Sequence, residues 1–344
     1  MVMNKKISLI IIVGPTASGK SELAVRIAKK YKGEIISADS RQVYRALNIG
    51  TAKIKGKWKN NFFLYKKIPH FCIDIASPKR VYTAAAFKKD AKSAIHAITA
   101  RRHIPIIAGG SGFWIDALVY DIDLPDVPPD SALRKQLEKK SAARLFAILK
   151  KIDPRRAKNI EQKNPRRLIR AIEIAKTLGR VPSVMKKSPY HALWIGISRS
   201  DALLHRAITV RARAMIKQGL VAETKKLLAM GVSKKRIREF GFEYQAVLDV
   251  IEKKLPFNAL VEILTRETVM YAKRQMRWFI RNKDIHWATP SQQAHKHVKK
   301  FLHSRSRTQS MIKNAAKSLK NFELRNCPTV SFPRKRESRP SLDF

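Results

Sequence analysis

The sequence GPTASGKS at residues 14–21 restricts the possible folds of this 344-residue chain more than any other feature. It fits the pattern G-x-x-x-x-G-K-[ST] and lies between an apolar run at residues 7–13 and an amphipathic segment containing Leu23 and Ile27. Such a loop turns backbone N–H groups around phosphate oxygens at a helix N-terminus. The context predicts a buried strand, a phosphate-binding loop and a helix. The loop residues are Gly14, Pro15, Thr16, Ala17, Ser18, Gly19, Lys20 and Ser21.

Two side chains of this loop suit phosphate chemistry. Lys20 supplies a positive charge, and the Ser21 hydroxyl is a ligand for Mg²⁺, which is therefore the expected cofactor. Because backbone N–H groups bind phosphate and read no base, the loop leaves open whether its ligand is a nucleotide such as ATP. A plain strand-to-helix turn is the alternative interpretation, and the flanking strand and helix disfavour it.

Strands and helices alternate after the loop. Residues 84–101 have the pattern of a helix, and the alternation predicts an α/β fold. We expect a P-loop NTPase-like parallel sheet flanked by helices, joined by right-handed crossovers, with a helical insertion domain. Residues 199–288 are expected to be mainly helical. Further strands are predicted at residues 34–38, 104–108 and 193–198.

Asp39 follows the second predicted strand and has two interpretations. Its carboxylate is a helix cap or turn residue, or it faces the phosphate site as a metal partner or general base. Ligands of parallel sheets bind at the carboxyl ends of strands, so position alone leaves the two interpretations balanced. The sequence GGSG at residues 109–112 follows the next strand; it favours a tight turn over close contact with a ligand.

Positive charge extends through most of the chain. The formal net charge is +46, which favours an anionic partner such as nucleic acid, although a generally basic proteome would give the same value. Residues 117–190 alone hold 18 basic side chains against 8 acidic ones. The predicted domains are a catalytic core at residues 1–118 and 191–303, a helical basic insertion at residues 119–190 and a disordered basic tail at residues 304–344.

The cysteine content and the apolar runs bear on the compartment. Cys72 and Cys327 are too few and too far apart for a disulfide framework or a four-cysteine metal site. No apolar run approaches the length of a membrane span, and the run at residues 7–13 leads into the glycine loop rather than a cleavage site. We therefore expect a cytoplasmic protein, with no membrane partner, and take a monomer as the default.

Seven sequence blocks together resemble the tRNA dimethylallyltransferases, also called tRNA isopentenyltransferases. They keep the order of that family and fall within residues 7–290, whereas residues 304–344 match nothing in it. The set is far more specific than the phosphate loop alone. The blocks are residues 14–21, 36–44, 48–53, 82–87, 109–112, 164–173 and 273–278.

The resemblance implies transfer of a dimethylallyl group from dimethylallyl diphosphate to N6 of adenosine 37 beside the tRNA anticodon. Mg²⁺ takes part and pyrophosphate is released, with the prenyl diphosphate bound where related loops hold ATP. Asp39 matches the family's general base for the N6 amine. Thr16 and Arg211 match residues that contact the diphosphate.

The resemblance also assigns residues to the tRNA interface. Lys273, Arg277 and Arg281 are spaced at i, i+4 and i+8 and predict one basic stripe on a late helix, whereas Phe279 is expected in the core. The tRNA-facing residues by this resemblance are Asp39, Ser40, Arg41, Gln42, Ser111, Arg134, Arg166, Arg167, Leu168, Ile169, Arg170, Lys273, Arg274, Gln275, Met276, Arg277, Trp278, Phe279 and Ile280.

Two positions depart from the family pattern. Ala207 stands where the family has another arginine, and Arg206 is one place away, so a secondary phosphate contact is missing from its usual position. Glu243 follows a glycine-aromatic pair at a position where many relatives carry a basic residue that contacts RNA.

Two other classes of function compete with the prenyl transferase. A P-loop kinase of a nucleoside or another small metabolite would use the same loop, but it has no need for a strongly basic insertion of this size. A non-enzymatic RNA-binding protein would have no use for an intact Lys20, Ser21 and Asp39.

Overall fold

A computed structural model describes residues 6–59, 62–182, 187–288 and 293–304. The chain divides into two compact units, residues 1–294 and 295–344, and the described residues of the second unit are helical. Beyond Ser304, the tail predicted at residues 304–344 lies outside the described residues. In the described part of the chain, no helix combines the length and apolar character that a membrane span requires.

An eight-stranded sheet forms the centre of the first unit, in the order β3-β4-β5-β2-β6-β1-β7-β8. Six neighbouring strands, from β5 to β8 in this order, are mutually parallel. This confirms the predicted α/β fold with a parallel sheet. The strands are β1 Ser8–Val13, β2 Gly33–Ala38, β3 Lys57–Lys59, β4 Phe62–Tyr65, β5 Ile68–Phe71, β6 Ile104–Gly109, β7 His191–Ile197 and β8 Ile285–Ala288.

The sheet differs from the expectation at both edges. Strands β3 and β4 pair antiparallel next to β5, so the sheet is mixed rather than wholly parallel. Both are short, with three and four residues, and such short strands give little periodic signal. At the other edge, β8 extends the sheet beside β7 within the stretch expected to be mainly helical. Its four residues are too few to be distinguished from a helix end by pattern alone.

Helices cover both faces of the sheet, as predicted for a chain in which strands and helices alternate. β1 is buried along its whole length because its neighbours β6 and β7 and the covering helices exclude water from both faces. The helices are α1 Lys20–Tyr31, α2 Ala84–Ala100, α3 Gly112–Val119, α4 Ser131–Leu137, α5 Ala142–Ile152, α6 Pro154–Ala157, α7 Pro165–Leu178, α8 Asp201–Lys217, α9 Leu220–Ala229, α10 Lys234–Glu239, α11 Phe242–Ile251 and α12 Leu260–Phe279.

Helices α4 to α7 pack around an apolar cluster of their own, which includes Leu145, Leu149 and Leu168. A buried carboxylate, Glu173, joins this cluster to the chain around α4. It accepts two hydrogen bonds from Arg134, at 2.7 and 2.8 Å, and one from the backbone N–H of Asp130 at 3.0 Å. The segment is thus helical with a separate core, whereas its boundaries at residues 119 and 190 stay predictions.

His70 on β5 gives the fold a dependence on pH. It is buried, its Nδ1 lies 2.9 Å from the carbonyl oxygen of Ile68, and burial lowers its pKa to about 4. The unfolded chain keeps the ordinary value near 6.5, so between pH 6.5 and pH 4 it binds more protons than the folded protein. Stability therefore falls as the pH falls through this window.

We expect His70→Gln to weaken this pH dependence, because the substitution removes the proton that only the unfolded chain takes up. The loss of unfolding free energy between pH 7 and pH 5 should shrink by about 2 kcal/mol, measured by urea denaturation. His96→Gln, on the exposed side of α2, is the matched control. An equal loss in wild type and His70→Gln contradicts the assignment.

Candidate active site

The phosphate loop connects β1 to α1 in the conformation that the sequence predicts. Gly19 lies at the start of α1 with φ +93°, in the left-handed region that favours glycine. The side chain of Lys20 folds back so that Nζ donates to the carbonyl oxygen of Pro15 at 3.1 Å. Burial lowers the pKa of Lys20 to about 8; the Asp39 carboxylate opposes this shift and Arg211 adds to it. The loop therefore concentrates buried positive charge, as an anion site requires.

Asp39 is a turn residue, and its carboxylate also lies at the cavity beside the phosphate loop. Its Oδ1 accepts the backbone N–H groups of Arg41 and Gln42, at 2.9 and 3.2 Å, which makes it the first residue of a turn after β2. The carboxylate also lines a cavity together with Thr16 and Arg211. Within the described residues no hydrogen bond occupies its second oxygen, Oδ2. The turn thus fixes the carboxylate while leaving one oxygen for a ligand.

The cavity brings the three predicted catalytic residues together from distant parts of the chain. Arg211 on α8 donates from Nη1 to the Thr16 hydroxyl at 2.9 Å, and burial lowers its pKa. Arg211 on α8 and Asp39 after β2 therefore lie beside the phosphate loop, although they come from different elements. The lining residues are Thr16, Asp39, Arg41, Gly50, Thr51, Arg211, Met215, Glu243, Thr268 and Tyr271.

The side chain of Gln275 on α12 contacts the phosphate loop and does not lie on an exposed RNA-binding face. It is buried; its Oε1 accepts the backbone N–H of Thr16 at 2.7 Å, and its Nε2 donates to the carbonyl oxygen of Gly110 at 3.0 Å. The expectation that this side chain faces tRNA is corrected here, because both ends of the amide are occupied by backbone. The spacing of basic residues on α12 gives no signal for this role.

Ser40, Gln42 and Ser111 also form links inside the protein. The backbone N–H of Ser40 donates to the Ser111 hydroxyl at 3.0 Å, which joins the chain after β2 to the turn after β6. Gln42 donates from Nε2 to the carbonyl oxygen of Thr51 at 3.1 Å. The first bond joins the turn at residues 109–112 to the residue that follows Asp39. Contacts of the same residues with tRNA stay predictions.

Glu223 on α9 is a site-supporting residue that the sequence did not reveal. Its carboxylate accepts three consecutive backbone N–H groups, those of Asn48, Ile49 and Gly50, at 2.8 to 3.0 Å, and the hydroxyl of Tyr244 at 2.8 Å. This arrangement fixes the segment that brings Gly50 to the cavity. No local pattern could have shown it, because about 175 residues separate the carboxylate from its donors.

The predicted tRNA-facing residues of the insertion are in two different environments. The side chains of Leu168 and Ile169 are buried in the insertion core, and so they do not present a surface to a ligand. Arg134 pairs with Glu173, as described above, and Arg170 lies 3.4 Å from the same carboxylate. The more exposed cations of this stretch are Arg166 and Arg167.

The basic stripe on α12 is shorter than predicted. Helix α12 ends at Phe279, so Arg281 lies beyond it, with its guanidinium 4.6 Å from the ring centre of Trp278. Phe279 is buried, which confirms its assignment to the core, and Trp278 is half-buried beside it. The exposed residues of the predicted tRNA-facing set on and beside this helix are Lys273, Arg274, Arg277 and Ile280.

A second arginine near the phosphate loop comes from an unpredicted position. Ala207 packs in a small apolar cluster with Ala17, and Arg206 is exposed on α8, so neither replaces the family arginine. Arg199 does approach the loop: a Cβ placed on Gly19 would lie 3.5 Å from its Nη2. The chain just after β7 thus places a cation next to Gly19 of the loop.

We expect Arg199→Ala to weaken pyrophosphate binding about tenfold, because one charge-assisted contact to the anion is lost. Isothermal titration with inorganic pyrophosphate and Mg²⁺ measures the affinity. Arg206→Ala, an equal loss of charge on the exposed side of α8, should leave the affinity unchanged. If the two variants bind equally well, Arg199 has no place at the phosphate loop.

A family model described as IPP transferase matches residues 42–283. A tRNA dimethylallyltransferase of Alkaliphilus oremlandii is 38% identical over 288 residues, which cover 81% of this chain and 90% of that protein. A tRNA dimethylallyltransferase of Staphylococcus carnosus is 38% identical over 300 residues, covering 83% of this chain and 92% of that protein.

Two solved structures share the fold. A full-length tRNA isopentenylpyrophosphate transferase of Bacillus halodurans superposes with a TM-score of 0.66 at 32% identity, covering 89% of this chain and all of that one. A eukaryotic dimethylallyltransferase, described as acting on tRNA, gives the same TM-score at 22% identity, covering 90% of this chain and 80% of that one; at this identity the likeness shows the fold alone.

Proposed function

This chain belongs to the IPP transferase family, and from that premise we propose that it is a tRNA dimethylallyltransferase. It transfers the dimethylallyl group of dimethylallyl diphosphate to N6 of adenosine 37 beside the anticodon and releases pyrophosphate. The observation that carries this proposal is the shared cavity, in which the Asp39 carboxylate faces Thr16 of the phosphate loop and Arg211. Asp39 and the phosphate loop therefore meet at one cavity, where an acceptor base and a diphosphate would lie next to each other.

The donor half of the reaction rests on positive charge. As the allylic carbon–oxygen bond breaks, negative charge grows on the leaving pyrophosphate, and Lys20, Arg211 and the loop N–H groups stabilise it. The Ser18 hydroxyl is buried and has no hydrogen-bond partner among the described residues. A phosphate oxygen of the donor would accept its hydrogen bond. These groups act on the oxygens of the diphosphate and leave the prenyl chain free to react.

Mg²⁺ fits this loop as a partner of the diphosphate. The described residues contain no group of three or more His, Cys, Asp or Glu side chains that could enclose a metal ion. The Ser21 hydroxyl would hold the ion together with oxygens of the diphosphate, which suits the preference of Mg²⁺ for oxygen ligands. When bound, the ion neutralises charge on the departing pyrophosphate.

The acceptor half depends on Asp39. An exocyclic amine of adenine is a weak nucleophile, and a carboxylate that accepts its hydrogen bond both orients and activates it. The amine proton goes to Asp39 Oδ2 as the new nitrogen–carbon bond forms. The turn that holds Oδ1 keeps this carboxylate in place without prior movement.

The tRNA must deliver adenosine 37 out of its stack to reach this cavity. Exposed cations on two separate elements suit the phosphates of the anticodon stem-loop: Arg166 and Arg167 on α7, and Lys273 and Arg277 on α12.

We propose a cytoplasmic monomer, as for an enzyme that meets tRNA in a reducing compartment. Cys72 is consistent with this, because it is a buried free thiol and burial raises its pKa to about 12.

The transfer reaction itself is the first test. Incubation with labelled dimethylallyl diphosphate, Mg²⁺ and unmodified tRNA bearing adenosine 37 should place the label on the tRNA. Omission of the tRNA, or of Mg²⁺, is the control and should leave the label on the diphosphate. If no label appears on the tRNA and the protein instead phosphorylates a nucleoside with ATP, the proposed function is wrong and the protein is a P-loop kinase.

Substitution of Asp39 tests the assigned base. Asp39→Ala should lower the transfer rate by at least about 100-fold, because the amine loses its proton acceptor. tRNA binding, measured by filter retention, should change by less than about threefold, because the phosphate contacts supply most of the affinity. A large loss of tRNA binding with normal turnover of the bound tRNA contradicts the role of base.

A further inference from the structure

Glu243 is a buried carboxylate in the cavity wall that the proposed reaction does not use. It is the second residue of α11, only 8% exposed, and it lines the cavity together with Asp39. A carboxylate in such a place is stable only when a cation pairs with it. Its partner is Arg41, whose Nη1 lies 2.6 Å from Glu243 Oε2.

The surrounding residues form a fitted compartment for the Arg41 guanidinium. It lies 5.2 Å from the ring centres of both Phe242 and Tyr271. Gly241 has φ +133°, and a Cβ there would lie 2.4 Å from Arg41 Cζ, so the residue before α11 leaves the room that the guanidinium fills. Three elements thus hold the side chain on the α11 side of the cavity.

Arg41 is also tied to Asp39 through the backbone. The two residues are two positions apart, and the N–H of Arg41 donates to Asp39 Oδ1. The guanidinium is therefore a cation on the same turn as the proposed base, and the two side chains line the same cavity. Besides Glu243, Asp39 is the carboxylate whose charge acts on the Arg41 guanidinium.

We propose that Glu243 is a positioning residue that keeps the Arg41 guanidinium away from Asp39, so that Oδ2 of Asp39 stays free for the amine of the acceptor base. This inference rests on the proposed function.

The charges around Asp39 agree with this role. Burial raises the pKa of Glu243, and Arg41 opposes that shift. For Arg41, burial is the largest single influence and lowers the pKa, but the neighbouring charges together, that of Glu243 first, raise it above the ordinary value, so the guanidinium stays charged. Loss of Glu243 would therefore release a full positive charge beside Asp39. The charged or titratable groups that face Asp39 are Lys20, Arg41, Lys53, Arg211, Glu243 and Tyr271.

A double-mutant cycle in the full chain tests the proposal. Glu243→Gln should lower kcat for transfer by about 10- to 100-fold, while KM for tRNA stays within about threefold, because a base engaged by Arg41 accepts the proton poorly. Arg41→Met combined with Glu243→Gln removes both charges and should return kcat to within about fivefold of wild type. A merely structural loss would instead lower the urea unfolding midpoint of Glu243→Gln and leave the kcat of its folded fraction unchanged.

The matched control is Glu239→Gln on α10. Glu239 also accepts from an arginine at 2.9 Å, that of Arg236, but it lies outside the cavity, so kcat should not change. If Glu243→Gln fails to fold, as judged by circular dichroism, the double variant carries the test alone, because it buries no unpaired charge. Its kcat within about fivefold of wild type then supports the proposal, and a larger loss overturns it.

Two results overturn the inference while the proposed function stands. They are a Glu243→Gln kcat within fivefold of wild type, and a double variant no faster than Glu243→Gln, in both cases with normal transfer by the wild-type protein. Absence of transfer by the wild-type protein is a different result, because it refutes the proposed function and this inference together.

Discussion

The hydrogen bonds of Gln275 hold together the parts of the site that are farthest apart in sequence. One amide group joins the Thr16 N–H of the phosphate loop to the Gly110 carbonyl after β6, and thereby anchors α12 to both strand ends. Arg211 adds a second connection, from α8 to the Thr16 hydroxyl. The phosphate loop alone could belong to many enzymes. Asp39 after β2 and Arg211 on α8 lie beside it at one cavity and so restrict which substrates fit.

Charge balance is the second constraint on the cavity. Lys20, Arg41 and Arg211 lie near Asp39 and Glu243 in and beside the cavity. Each buried charge would be unfavourable by itself, and each is stabilised by a neighbour of opposite sign. The sum leaves the phosphate loop positive and the second oxygen of Asp39 open. An anionic donor and a neutral amine acceptor are the ligands that this distribution favours.

The sequence alone predicts those parts of the fold that carry a local pattern of apolar residues or glycines. Strand β1, the glycine loop and the position of Asp39 at the end of β2 follow from apolar runs and glycine spacing, and the structure has them all. Local patterns could not predict the residues whose hydrogen-bond partners lie far away in the sequence. Gln275 and Glu223 act through backbone groups about 165 to 260 residues away, and the short edge strands β3 and β8 carry too few residues for a periodicity.

The central claim is that the phosphate loop holds a prenyl diphosphate and not a nucleoside triphosphate. Titration calorimetry of the same protein with dimethylallyl diphosphate and with ATP, each with Mg²⁺, measures this directly. We expect dimethylallyl diphosphate to bind at least about tenfold more tightly, and Lys20→Ala to abolish its binding, because Lys20 supplies the buried charge that meets the diphosphate. Tighter binding of ATP, with no displacement by dimethylallyl diphosphate, would contradict the account.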